Sequence, residues 1–154
     1  MFYGPGIVPM IIDLPVKGRC LMTLGVQMDS VAICVAGGRE FDDYDFLSSC
    51  MDSIKHLHYM KAITLISGAA RGADTLGEQY ATEQHWEMES HPPDYDVPQY
   101  LRKRAPFVRN QKMAEIADVL CAFWDGKSKG TRHMIGCALK EGLEIHVFRY
   151  SPAE

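Results

Sequence analysis

Val31-Ala-Ile-Cys-Val-Ala-Gly-Gly-Arg-Glu-Phe41 is an apolar run that breaks into a double glycine just ahead of a helical pattern. An uninterrupted apolar run of this length reads as a strand buried on both faces. A glycine-bearing loop between such a strand and a helix is how an α/β protein offers backbone N–H groups to a phosphate. Phe123-Trp-Asp-Gly-Lys-Ser-Lys-Gly-Thr131 repeats the arrangement. Two such loops in one small domain point to nucleotide binding.

The pattern extends outward from these loops. Asp42 or Asp43 is placed to cap a helix on which Phe46, Leu47, Cys50, Met51, Ile54 and Leu57 recur at helical spacing. Ile63 to Ser67 reads as a second strand. The glycine loop Gly68-Ala-Ala-Arg-Gly72 follows, then a helix carrying Leu76, Tyr80 and Ala81. A short third strand is predicted over 87–90, and a long polar loop with four prolines over 91–106. Beyond it come a helix over 108–116, a fourth strand over 119–123, a helix over 131–140 ending near Gly142, and a fifth strand over 145–148. The alternation predicts an α/β fold: a Rossmann-like, doubly wound, mostly parallel five-stranded sheet with helices on both faces. Residues 1–30, punctuated by Gly4, Pro5, Gly6, Pro9 and Pro15, read separately as an N-terminal arm of unknown role. The arm is either an extended segment lying on the domain or a neighbouring subunit, or a leader without fixed structure. Residues 31–154 form the nucleotide-binding domain.

The 154 residues suit one domain with a core of its own, and the apolar fraction of 47% is ordinary for a globular protein. A net charge of -4 argues against a nucleic-acid binder that relies on a basic face, although Arg102, Lys103, Arg104, Arg109 and Lys112 form a local patch, as do Lys127, Lys129 and Arg132. The five cysteines (Cys20, Cys34, Cys50, Cys121, Cys137) are scattered and contain no CxxC pair, the usage of reduced core thiols in a cytoplasmic protein. No apolar stretch is long enough to span a bilayer, and the N-terminus lacks the basic start of a signal peptide.

In a doubly wound sheet the ligand lies beyond the carboxyl ends of the strands, where the strand order reverses. The first and fourth strands flank that crevice, so their two loops face each other. Gly37 and Gly38 are read as allowing close approach of backbone to ligand, or as an ordinary tight turn. Arg39 supplies a forked donor for phosphate or carboxylate, or is a surface arginine. Ser67, Gly68, Ala69 and Gly72 shape the second loop. Asp74 accepts from a ribose hydroxyl or orients Arg71, or else compensates the helix dipole. Gly126, Ser128, Gly130 and Thr131 stand where a phosphate cradle belongs. Trp124 stacks on a base or packs at the rim; Asp125 binds a ligand hydroxyl or caps the turn. Arg109 and Asn110 open the helix that feeds the fourth strand and project toward the same crevice. His133 and Cys137 share a helix face, but no further ligands stand at matching spacing, so no metal site and no cofactor are expected.

GGREF, SGAARGAD, VRNQKM and ADVLCAFWDGKSKGTRHMI, in this order, resemble the YspA-like (DUF2493) branch of the SLOG superfamily over residues 31–149. That superfamily takes in the Lonely-guy phosphoribohydrolases, the so-called lysine decarboxylase family, and the DNA-processing protein DprA. The resemblance implies a Rossmann-like domain for nucleotides or nucleotide-derived small molecules. In the phosphoribohydrolases a PGGxGTxxE motif binds phosphate and carries a catalytic glutamate, assisted by an arginine four residues before a methionine. This chain keeps Arg109, Met113, Gly130 and Thr131, but Met134 stands at the glutamate position and Trp124-Asp125-Gly126 replaces the proline-glycine-glycine start.

Methionine neither stabilises an oxocarbenium-like ribose nor activates water. The expected function is therefore binding, or sensing, of a nucleotide or nucleotide-derived molecule. The alternative is a nucleotide N-glycosidase releasing a base from a ribose phosphate. Arg109 and Asp125 would then be catalytic, with Glu40 or Asp74 as other carboxylates able to substitute. A homo-oligomer is expected, with neither nucleic acid nor membrane as partner.

Overall fold

The computed structural model describes residues 19–23 and 26–152, with side chains from residue 28 onward. Strand β1 (Arg19–Thr23) is followed by β2 (Val26–Gly37), α1 (Tyr44–Leu57), β3 (Ala62–Ser67), α2 (Ala73–Glu83) and β4 (Glu87–Ser90). A 3-10 turn (Gln99–Arg104) leads directly into α3 (Ala105–Ile116), then β5 (Val119–Trp124), α4 (Lys129–Glu141) and β6 (Glu144–Arg149). Five strands are parallel in the order β4-β3-β2-β5-β6, and β1 adds to β2 antiparallel. This is the Rossmann-like, doubly wound α/β fold.

The buried run of β2 supplies both faces of the core. Strand side chains alternate, so Val31, Ile33 and Val35 pack against Leu47, Met51 and Ile54 of α1 and Tyr80 of α2. Ala32, Cys34 and Ala36 face the other way, onto Met113 and Ala114 of α3 and Met134 and Cys137 of α4. Four cysteines, Cys34, Cys50, Cys121 and Cys137, are buried free thiols; burial pushes the Cys50 thiol up to about 12. The helix ends follow local chemistry. Asp43, rather than Asp42, caps α1, its Oδ1 accepting from Phe46 N at 2.9 Å. Gly142 closes α4 in the left-handed region at φ 73°.

Most elements run a residue or more beyond the sequence reading, and two differences matter for the fold. The strand read from 31 starts at Val26, because Val26 to Asp29 pairs with β1 as a two-stranded ribbon and Ser30 pairs with both β1 and β3. Met28 and Asp29 there are exposed, which hides the strand from an apolar-run criterion. The segment read as an arm is thus partly ordered into the sheet; residues 1–18 lie outside the described residues. The polar loop over 91–106 contains the 3-10 turn, and its last two residues belong to α3.

The amino ends of the strands hold their own polar cluster. Asp118 Oδ2 accepts from Ala32 N at 2.8 Å, and Asp118 O accepts from Glu144 N at 3.0 Å. Burial favours the neutral acid at Glu144, but hydrogen bonds from His146 Nε2 (2.6 Å) and His58 Nε2 (3.4 Å) outweigh it and hold the carboxyl at about 2. His146 Nδ1 is buried with no hydrogen-bond partner among the described residues. A carboxyl held below its ordinary value of 4.5 stabilises the fold above that pH, and the stabilisation is lost as pH falls through the native value. Glu144→Gln is therefore expected to lower the unfolding free energy at pH 7 by roughly 2–3 kcal/mol. It should also flatten the loss of stability on acidification below about pH 4.5, read by urea denaturation across a pH series.

Candidate functional site

The parallel strands begin in the middle of the sheet at β2, run outward through β3 and β4, and return across the sheet to β5 on the other side of β2. The connections flanking β2 and β5 therefore leave to opposite faces, and a crevice opens at their carboxyl ends. A cleft of about 530 Å³ occupies this position. Gly38 and Gly130 both line it, as do Arg39, Asp74, Arg109 and Asn110.

The β2 loop is drawn tight. A Cβ on Gly37 would stand 2.6 Å from both Ala73 Cβ and the Phe123 carbonyl, and one on Gly38 would overlap the Tyr150 hydroxyl. Gly38 O accepts from Phe41 N (3.2 Å) and Ala73 N (3.3 Å), which docks the start of α2 against the loop. The two glycines line the cleft, but their lack of a side chain is required by protein packing. Gly72 lies behind them at φ 84°, where a side chain would strike Gly38 O. Arg39 projects from this turn, exposed, and makes no ion pair among the described residues.

The second loop is held from within. Ser67 is fully buried, donates to Glu78 Oε1 at 2.6 Å and accepts from Ala69 N at 3.1 Å. Ala69 adopts φ 54°. Asp74 is buried and accepts from Ala70 N at 3.2 Å. Burial pushes its carboxyl up to about 6 against the opposing pull of the Ala70 bond and the Arg109 charge. Asp74 does not orient Arg71, whose guanidinium pairs with Glu40 on the surface.

Arg109 is buried at 9% exposure on α3. Its Nη1 donates to the carbonyls of Gly68 and His91, and its Nε to Asn110 Oδ1 at 3.1 Å. These acceptors are neutral, and Arg109 makes no ion pair among the described residues. Burial accordingly depresses its basicity, with the charge of Asp74 opposing. Asn110 Nδ2 in turn donates to Gly130 O at 3.3 Å, linking α3 to the start of α4.

At α4, Ser128 Oγ accepts from Thr131 N at 3.4 Å and from Thr131 Oγ1 at 3.1 Å. The amides of Lys129 and Gly130 precede any intrahelical acceptor. No atom stands within 4 Å of where a Gly130 Cβ would project. Asp125 lines the cleft and holds its own turn: Oδ1 accepts from Lys127 N and Ser128 N, both at 2.8 Å, which keeps the carboxyl below its ordinary range.

Ten of the candidates, Gly37, Gly38, Arg39, Asp74, Arg109, Asn110, Asp125, Ser128, Gly130 and Thr131, line the cleft. Ser67, Gly68, Ala69 and Gly72 form the layer behind it. Trp124 and Gly126 are elsewhere. The indole donates to Ser128 O at 3.1 Å, with Arg149 and Arg132 at 5.2 and 5.8 Å from its ring centroid, and Gly126 sits against Arg149. Trp124 is a rim residue, the packing role among its two readings. Pro106, Phe107, Tyr150 and Pro152 also line the cleft and escaped the sequence reading. Tyr150 follows β6 directly, so the strand-end rule that found Trp124 would have found it too. Among the described residues no group of three or more His, Cys, Asp and Glu could hold a metal ion, and no helix is long and apolar enough to cross a membrane.

Comparison with known proteins agrees with this architecture. Residues 31–97 match the model of the YspA, cpYpsA-related SLOG family. The Gene 61 protein of Mycobacterium phage D29 is 33% identical over 96 residues, spanning 58% of this chain and 74% of that protein. The structure of DNA processing protein A (DprA) from Streptococcus pneumoniae superimposes with a TM-score of 0.58 at 17% identity over 75% of this chain, a likeness of fold. This chain spans about half (49%) of the length of that one. The buried central strand, the tight glycine turn and the sequence relatives converge: the chain belongs to the YspA-related SLOG family.

Proposed function

We propose that the cleft binds a nucleotide or nucleotide-derived small molecule by its phosphate. The observation that carries this reading is convergence. The N-termini of α2 and α4, and two arginines without ion pairs, meet at one cleft at the switch point. Helix N-termini present unpaired N–H groups and a partial positive charge, which favour an anion. Gly72 gives α2 no side-chain cap, so its first-turn amides are not all satisfied from within. Arg109 is desolvated, with neutral hydrogen-bond acceptors and only partial compensation from the Asp74 charge, a costly state for a cation that an anion relieves. Arg39 adds a forked, permanently charged donor at the opening. Membership of the SLOG family supports a nucleotide-related ligand.

A second reading, hydrolysis of the N-glycosidic bond, draws support from one group. Asp74, with its carboxyl near 6, has the poise of a general acid or base at neutral pH. Asp125 is less suited, since its turn amides occupy one oxygen and keep it strongly acidic. Met134, at the position of the glutamate in the hydrolases this family resembles, is 1% exposed and supplies no proton chemistry.

Thermal shift and calorimetry with nucleoside monophosphates test binding. Saturation by one of them at a hundred times its dissociation constant should add about 2.7 kcal/mol to stability. Gly130→Ala is the sharpest variant. The added methyl meets open space, so stability should hold or rise by up to about 1 kcal/mol, whereas phosphate affinity should fall at least about tenfold. Unchanged affinity in Gly130→Ala would sink the assignment of the anion to α4. Arg39→Ala should weaken binding without a change in melting temperature. Chromatography of incubations between about pH 5 and 8 tests hydrolysis. Free base that disappears in Asp74→Asn would support it, and no base from any common nucleotide would remove it.

A further inference from the structure

Resting on the phosphate reading above, we propose that Phe107 is the platform on which the ligand's nucleobase stacks, so that the cleft selects base-bearing phosphates over bare sugar phosphates. The argument begins with the aromatic rings near the site. Trp124 does not line the cleft; its indole N–H is engaged by Ser128 O, and two guanidinium groups lie over its ring. Tyr150 lines the cleft, but its ring packs on Phe41 at 4.8 Å and its hydroxyl fills the place of a Gly38 side chain. Phe107 lines the cleft and remains 39% exposed.

Its ring is also held in place. It meets His133 at 4.7 Å and 82°, an edge contact that fixes the ring without sandwiching it. His133 Nδ1 stands 3.3 Å from Asn110 Nδ2 and 3.6 Å from Cys137 Sγ, so the brace is itself braced. Asn110 Nδ2 also reaches Gly130 O at 3.3 Å. One amide group therefore ties the aromatic ledge to the anion end of the cleft. Pro106 adds apolar surface to the lining, with Met113 and Met134 buried behind it, which suits a planar base. Glu40, Asp125 and Ser128 add acceptors, which suit sugar hydroxyls. A rigid, partly exposed aromatic ring stacks on any base with little ordering cost.

Calorimetry on the full chain with the four common nucleoside 5′-monophosphates and with ribose 5-phosphate separates the platform from the phosphate site. The wild type is expected to bind its best monophosphate more tightly than ribose 5-phosphate. Phe107→Ala should weaken that monophosphate by about tenfold to a hundredfold and leave ribose 5-phosphate within about twofold. Phe107→Trp should restore the difference, and Phe107→Leu, which keeps apolar bulk without a π-face, should not. Equal weakening of both ligands in Phe107→Ala, no weakening of either, or full rescue by leucine would overturn the platform. A wild type that binds ribose 5-phosphate as tightly as every monophosphate would overturn it too, with the phosphate reading intact. A wild type that binds none of them would remove both.

Discussion

The molecule hinges on a backbone contact at the top of its central strand. Gly38 O accepts from Phe41 N and from Ala73 N, and Gly37 lets Ala73 approach the strand more closely than any side chain would permit. This junction ends β2, turns the chain toward α1 and draws the first turn of α2 to the carboxyl edge of the sheet. Without it, the N-terminus of α2 would stand away from the crevice and Arg39 would leave at another angle. Tyr150 locks the turn from the far side, its hydroxyl filling the space that a side chain at Gly38 would need. The same contacts that close the core therefore shape the cleft, and a mutation in either glycine acts on fold and site together.

Arg109 plays the corresponding part on the opposite face. By holding the Gly68 and His91 carbonyls it joins the loops after β3 and β4, while Asn110 joins α3 to α4. A lysine would lack the planar fork that reaches several acceptors at once. The arginine is thus a strut as well as a desolvated cation, and loss of ligand affinity on its removal would not by itself establish direct contact. Gly130 and Arg39 are cleaner reporters: a methyl added at Gly130 meets open space, and the Arg39 side chain makes no ion pair among the described residues.

Much of this was legible in the chain because both signals are local. The apolar run of β2 alternates between two covered faces, and only a strand inside a two-layered fold tolerates such continuity. The end of α4 near Gly142 is similarly written in a few adjacent residues. What escaped depends on long-range partners. The requirement for Gly38 comes from Tyr150, more than a hundred residues away, so the double glycine looks like a ligand loop in sequence and proves to be a packing junction that also lines the cleft. One of the sequence readings of Asp74 sets it to orient nearby Arg71, yet Arg71 pairs with Glu40 while Asp74 turns inward. Phe107 hides in the first turn of a helix, where an aromatic is ordinary until a cleft is known to open beside it.

The two ends of the sheet show why the cleft, rather than any polar cluster, marks the site. At the amino ends, Asp118 accepts from a strand amide and Glu144 receives two histidines, so the acids are compensated by the protein itself. At the carboxyl ends the balance is reversed. Arg39 and Arg109 there have no ion pair among the described residues, the first-turn amides have only part of their acceptors, and burial holds the Asp74 carboxyl well above its ordinary range. A fold stabilised only for its own sake would satisfy both ends alike, since unpaired buried polarity costs stability. The groups left without a full set of partners around the cleft are guanidinium groups and helix-start amides, a physical reason to regard the missing partner as an anion.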